Sequence, residues 1–195
     1  MQRPVEEQIK AAFQKTVDAF GGIDVVCNNA GVLNESEWEK TVSINLVGMI
    51  RVAYVALEHM NKQRGGRGGV VVNTASLAGL GPLPSCPVYT ATKHGVIGFT
   101  RAMAMASLGS DYGVRFNALC PGFVDTVLLT NISGRLGQFA HLSELTQRLV
   151  DTFGIMNVSK VAEGLMQLLT DENKTGEALI IMPDGNKFAE FPSQA

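Results

Sequence analysis

Short, almost wholly apolar runs alternate along this chain with segments of helical period, and that alternation constrains the fold more than any other feature. Gly69–Thr74 contains three consecutive valines. Val114–Cys120, Ala178–Met182 and the shorter Ile23–Cys27 are runs of the same kind. A strand that is apolar at successive positions is buried on both faces, and helices between such strands supply the cover. The pattern predicts an α/β chain built as a doubly wound parallel sheet.

The helical segments fit between these strands. Pro4 is suited to a first helical turn, with Glu6 and Glu7 near the positive end of the dipole. Val5, Ile9, Phe13, Val17 and Phe20 then recur at helical spacing until Gly21-Gly22 stops the run. Ser36 to about Gln63 reads as helix in two pieces, followed by Val88–Leu108, Leu142–Phe153 and Ser159–Leu169. No strand precedes the first helix, and no G-x-G-x-x-G follows any strand. Arg64-Gly65-Gly66-Arg67-Gly68-Gly69 precedes a strand, so it reads as a flexible turn; phosphate cradles lie at helix N-termini.

Composition narrows the class of function. The chain has 195 residues, 16 basic and 18 acidic, for a net charge of −2 with histidines neutral. That balance gives no reason to expect a nucleic-acid surface. Uninterrupted apolar runs fall far short of the ~18 residues that mark a membrane span, and Met1–Glu7 lacks the apolar core of a secretory signal. Cys27, Cys86 and Cys120 are odd in number and lack C-x-x-C spacing, which argues against a disulfide framework or a zinc cage. His59, His94 and His141 stand far apart without acidic or cysteine partners, so no metal site is expected. A soluble cytoplasmic domain is the expectation.

Tyr89 and Lys93 stand four residues apart at the start of a helix and so share a face. A tyrosine near its reference pKa of about 10 is a poor base, but a nearby ammonium favours the phenolate. The pair can take a proton from an alcohol or give one to a ketone. Tyr-x-x-x-Lys alone arises by composition in roughly one chain of this length in three, so it needs company. Ser76 follows the valine-rich strand, Asn28-Asn29-Ala30-Gly31 follows the first strand, and Pro121-Gly122 ends a third. All three lie at the C-terminal strand ends, where open α/β sheets place their sites.

These residues, with Asn45 and Tyr89-Thr90-Ala91-Thr92-Lys93, match the short-chain dehydrogenase/reductases in order and spacing. The chain resembles that family from about Glu6 to about Gly185. Ser76-Leu77-Ala78-Gly79, Lys93-His94-Gly95, Gly98-Phe99-Thr100-Arg101 and Cys120-Pro121-Gly122-Phe123-Val124 look like its NAD-dependent 15-hydroxyprostaglandin dehydrogenase branch. The resemblance implies a Rossmann-like domain over 1–185 and a tail over 186–195. It implies NAD as cofactor, a hydrophobic secondary alcohol such as a 15-hydroxyprostaglandin as substrate, and a dimer.

By the same resemblance, Tyr89 is the acid/base, Ser76 orients the reacting oxygen, and Lys93 lowers the tyrosine pKa while holding the nicotinamide ribose. Asn45 would hold a water that relays protons to Lys93; its plainer reading is a helix-kink residue. Asn29 would lie against the cofactor, and Val124, Asp125 and Thr126 would contact the nicotinamide carboxamide. Cys86 falls where the prostaglandin enzymes have a glutamine near the substrate. Cysteine is a poorer hydrogen-bond partner, which leaves room for a different hydrophobic alcohol. Leu128–Met156 falls where the family carries its substrate lid, or is plain helix packing. Ala91, Gly95, Gly98 and Ala102 line one helix face, for close packing within the chain or for a dimer.

The family's first strand, its T-G-x-x-x-G-x-G turn and the acidic residue that selects NAD do not occur in these residues. Two βα units of about 30 residues each amount to roughly 60 residues, and with them go the pyrophosphate cradle and the adenosine pocket. Ile23–Cys27 would then be a bare apolar edge. The expectation is an N-terminally truncated chain that binds NAD poorly or not at all. Two functions follow: an NAD-linked oxidoreductase, or a catalytically silent form that dimerises with a full-length relative. An unrelated binding module that happens to carry Tyr-x-x-x-Lys fits the joint spacing less well.

Overall fold

The computed structural model describes residues 3–192. Four strands run parallel: β1 (Val25–Asn28), β2 (Gly69–Thr74), β3 (Val114–Pro121) and β6 (Ala178–Met182). A last strand, β7 (Gly185–Phe188), returns antiparallel, so the sheet order is β1-β2-β3-β6-β7. Val70, Val71 and Val72 are all buried, as a strand covered on both faces requires. Val71 packs with Phe116 of β3, Ala53 and Ala56 of α3 (Met49–Met60) and Ala104 of α4 (Pro87–Gly109). Val70 and Val72 pack on the other face with Leu168 of α7 (Val158–Thr170).

The first helix, α1 (Arg3–Phe20), lays Phe13 and Val17 against the α3 side of the core. Phe20 stays exposed, and Gly21 ends the helix at φ +75°, its N–H bonded to the Val17 carbonyl at 2.7 Å. The segment expected as two helical pieces is one continuous run: α2 (Trp38–Val42), a π-helical turn over Ser43–Gly48, then α3. Trp38–Met60 is long and apolar enough by composition to cross a membrane. Here Ala53, Ala56 and Met60 pack against the sheet as core.

The glycine-rich run is packed, not loose. A Cβ at Gly66 would overlap the Met60 carbonyl and one at Gly68 the Gly113 carbonyl, while Arg67 pairs with Asp24 at 3.1 Å. Two-residue strands β4 (Phe123–Val124) and β5 (Ile155–Met156) pair in parallel. They bracket an excursion holding α5 (Val127–Thr130), two 3-10 segments and α6 (Ser143–Phe153). Residues 186–188, expected as the start of a tail, belong to β7, and Ala189 N–H continues the pairing to the Ala178 carbonyl at 2.9 Å. Arg101 then lies 3.8 Å from the Phe191 ring centroid. At the opposite edge β1 has one neighbour, and Val25 is 45% exposed on it.

Candidate active site

Parallel strands deliver the loops that follow them to one edge of the sheet. Asn29 follows β1, Ser76 follows β2 and Val124–Thr126 follow β3, so the strand ends gather these positions by register alone. Ser76 adopts extended backbone and caps a 3-10 turn, its hydroxyl accepting the Ala78 N–H at 3.1 Å. Gly79 in that turn lies against α4. A Cβ there would come 2.6 Å from the Lys93 carbonyl oxygen and 2.8 Å from Ile97 Cδ1. The turn therefore rests on the backbone of the helix that carries Tyr89 and Lys93.

Both of those side chains are buried. The Lys93 ammonium donates to the Thr74 carbonyl at 2.8 Å and lies 5.5 Å from the centre of the Tyr89 ring. Burial lowers the Lys93 pKa from 10.5 to about 8, with the neighbouring Cys120 pulling it back up. Burial also pushes the Tyr89 phenol up to about 12, with the nearby Ser76 hydroxyl drawing it down and Cys86 adding to the rise. The net shift of Tyr89 is therefore upward, and burial is its largest cause. Desolvation disfavours the phenolate, and the Lys93 ammonium donates its hydrogen bond to the Thr74 carbonyl.

Asn45 sits in the π-helical turn, almost wholly buried. Its Nδ2 donates to the Val32 carbonyl at 2.7 Å and to Thr92 Oγ1 at 3.2 Å, and its Oδ1 accepts the Val32 N–H at 2.8 Å. Thr92 in turn donates to the Tyr89 carbonyl at 2.7 Å. A Cβ on Gly31 would stand 3.4 Å from Asn45 Oδ1 and 3.5 Å from Lys93 Nζ, which places Gly31 between them.

Asn29 is exposed and accepts the Thr74 hydroxyl at 3.2 Å. Asp125 donates its N–H to the Met156 carbonyl at 2.9 Å, and the Thr126 hydroxyl donates to the Val124 carbonyl at 3.3 Å. These three turn residues lie past the end of β3, partly exposed or exposed. Cys86 is fully buried at the N-cap of α4, its thiol 3.5 Å from Ser85 Oγ and raised to about 11 by burial. It packs with Tyr89, Leu33, Ala78, Leu83 and Leu136, the last from the excursion between β4 and β5.

Several members of this neighbourhood carried no sequence signal. Glu35 accepts the backbone N–H groups of Val88 and Tyr89, a long-range contact that no local pattern announces. Cys120 ends fully buried near Lys93, with burial raising its thiol to about 12 and the Ser76 backbone and the Lys93 charge drawing it down. Among the described residues no cluster of three or more His, Cys, Asp or Glu could hold a metal.

Comparison with known proteins identifies the family. A family model described as short chain dehydrogenase matches residues 4–136. The chain is 45% identical over 178 residues to a Bos taurus protein named 15-hydroxyprostaglandin dehydrogenase [NAD(+)], covering 90% of this chain and 67% of that protein. It is 44% identical to the Mus musculus protein of the same name, covering 90% and 66%. It therefore spans about two thirds of the length of these curated relatives. Among solved structures, levodione reductase superposes with a TM-score of 0.76 at 30% identity, covering 91% of this chain and 72% of that one. The doubly wound sheet is accordingly a Rossmann fold, and the chain belongs to the short-chain dehydrogenase family of oxidoreductases.

Proposed function

We propose that this chain carries the proton-transfer machinery for NAD-linked oxidation of a secondary hydroxyl on a hydrophobic substrate of the 15-hydroxyprostaglandin class. The observation that carries the reading is the buried pair on one face of α4, Tyr89 with the Lys93 ammonium 5.5 Å from its ring centre, against which the turn carrying Ser76 rests through Gly79. The apolar wall of Leu33, Ala78, Leu83, Cys86 and Leu136 around Tyr89 favours a lipid-like substrate.

Ser76 would hold the substrate oxygen by a hydrogen bond while Tyr89 exchanges a proton with it. As folded, the phenol is neutral at physiological pH and poised to give its proton to a ketone. Accepting one from an alcohol requires the phenolate, which positive charge beside the ring favours. NAD, when bound, accepts the hydride from the substrate carbon. The donor set suits its nicotinamide end: the Lys93 ammonium for the ribose hydroxyls, the Asn29 amide, and the turn over Val124–Thr126 for the carboxamide. No glycine-rich turn at a helix N-terminus after a strand exists among the described residues to hold the pyrophosphate. The reading therefore includes weak NAD binding by these 195 residues alone, in a cytoplasmic setting.

A second reading, a silent partner of a full-length relative, draws on the surface of α4. Ala91, Gly98 and Ala102 are exposed beside Met105 and Leu108, while Gly95 packs inward on Leu46. Titrating the purified chain with NADH and following nicotinamide fluorescence separates the two. Saturable binding weakened by Lys93→Ala, with turnover abolished by Tyr89→Phe, supports the oxidoreductase. Turnover that survives Tyr89→Phe removes it. Folded chain that binds no NADH but co-purifies with a full-length relative supports the silent partner.

A further inference from the structure

A buried carboxylate normally has a cationic partner. Glu35 has none among the described residues, yet it is only 7% exposed. Its partners are backbone: Oε2 accepts the Val88 N–H at 3.1 Å and Oε1 accepts the Tyr89 N–H at 2.9 Å. These are the second and third residues of α4, whose amides have no acceptor inside the helix. The N-cap residue, Cys86, makes no side-chain capping bond, and its thiol is a weak acceptor. The capping function has moved to a residue more than fifty positions away in sequence.

Glu35 is also tied down on its other side. Its own N–H donates to the Arg135 carbonyl at 2.7 Å, next to Leu136, which packs on Tyr89. Gly137, at φ +54°, sits so close that a Cβ would lie 3.1 Å from the Ser36 N. One residue thus grips the first turn of the catalytic helix and the excursion that covers it.

We infer that Glu35 is a positioning residue for Tyr89: its carboxylate fixes the first turn of α4, and with it the height of the phenol against Ser76. Positioning here means positioning for proton transfer, so the inference rests on the reading of Tyr89 given above. A ring that hangs from a clamped N–H cannot slide along the helix axis, and small misplacements of a proton donor are costly to turnover.

The test compares Glu35→Gln, Glu35→Asp and Glu35→Ala with the unaltered chain. Gln keeps one acceptor oxygen and loses the other, Asp keeps both on a shorter stem, and Ala keeps neither. Backbone amide exchange at Val88 and Tyr89 is expected to quicken about tenfold or more in Glu35→Gln, with Ile97–Ala104 unchanged. With the tyrosines carbon-13 labelled, the ring signal of Tyr89 is expected to shift while those of Tyr54 and Tyr112 hold. The kcat should fall about tenfold or more with KM within about threefold, and Glu35→Asp should recover part of it. Unchanged exchange at the two amides overturns the inference. So does faster exchange with the Tyr89 ring signal and kcat unaltered, which would leave Glu35 a helix cap alone. An unaltered chain without turnover removes the oxidoreductase reading, and the exchange and ring signals then decide the role of Glu35. Should Glu35→Ala fail to fold, the Gln and Asp variants carry the comparison.

Discussion

The amide of Asn45 and the backbone of Val32 close a ring of two hydrogen bonds, N–H to Oδ1 at 2.8 Å and Nδ2 to carbonyl at 2.7 Å. Such reciprocal pairing is what a strand neighbour would offer Val32, provided here by a side chain from a π-helical turn. The widened turn moves Asn45 out of the regular helix path and lets the same Nδ2 reach Thr92. Asn45 therefore ties the loop after β1 to the second turn of α4. Asn45→Ala leaves the part-buried Val32 N–H and carbonyl without these partners, at about 1–3 kcal/mol each. Chemical denaturation should show a loss of about 2–4 kcal/mol. A change within about 0.5 kcal/mol would mean that the loop finds other partners.

The turn that carries Ser76 depends on Gly79. Adding a methyl there places it 2.6 Å from the Lys93 carbonyl and 2.8 Å from Ile97 Cδ1, both nearer than side-chain carbons tolerate. The carbonyl cannot move without unwinding α4, so the Ser76 turn must lift instead. Overpacking of this kind costs about 1–3 kcal/mol. Gly79→Ala should lower the melting temperature, whereas alanine at Gly98, where the space is open, should leave it unchanged or raise it. Equal effects at the two sites would show that the close approach carries no weight.

The contrast between β2 and β7 shows where sequence suffices. Gly69–Thr74 announces itself because both of its faces are buried, so its apolar content is continuous. Gly185–Phe188 has one apolar residue and pairs on a single side, so nothing in its composition separates it from a tail. Ile23 shows a different limit. It is buried in the core and reads as strand, but the register with β2 begins pairing at Val25. At the site, Tyr89, Lys93, Ser76 and Asn45 are legible because their spacing and their place after strands are sequence properties. Glu35 and Leu136 are not, since their roles come from contacts across about fifty residues. The direction of the Tyr89 shift was hidden for the same reason: burial, which decides it, is set by the whole fold.

The three cysteines differ in ways that thiol chemistry can read. Cys86 and Cys120 are fully buried, with pKa values raised to about 11 and about 12 by desolvation. Cys27 is exposed on the edge strand β1, with a smaller upward shift from partial burial. Alkylation proceeds through the thiolate and requires access. Iodoacetamide at pH 8 should modify Cys27 alone in the folded chain, and all three in denaturant. Peptide mass mapping reads the outcome, and early labelling of Cys86 would mean that the Leu136 excursion opens readily. A partner strand laid along β1 should slow the labelling of Cys27.

Lys93 makes a prediction whose sign is fixed by its depressed pKa. Folded, it holds its proton only up to about pH 8, against 10.5 for an ordinary lysine. Between those values the unfolded chain binds more protons, so this group's contribution to stability rises with pH through the window. Below about pH 8 both states are charged, and the buried ammonium is a standing cost of about 3 kcal/mol. Cys86 and Cys120 oppose the trend: their folded pKa values are raised, so their contribution falls as pH climbs past about 9. Comparing the chain with its Lys93→Met variant cancels the Cys86 effect, which both proteins share; Cys120, whose pKa the Lys93 charge lowers, is replaced by alanine in both. The stability of the chain that keeps Lys93 relative to Lys93→Met should improve by about 2 kcal/mol from pH 7 to pH 10. A flat difference would show that Lys93 is solvated in solution, and a decline would show that it is held by a negative charge. Either result would leave Lys93 charged beside Tyr89 well above pH 8.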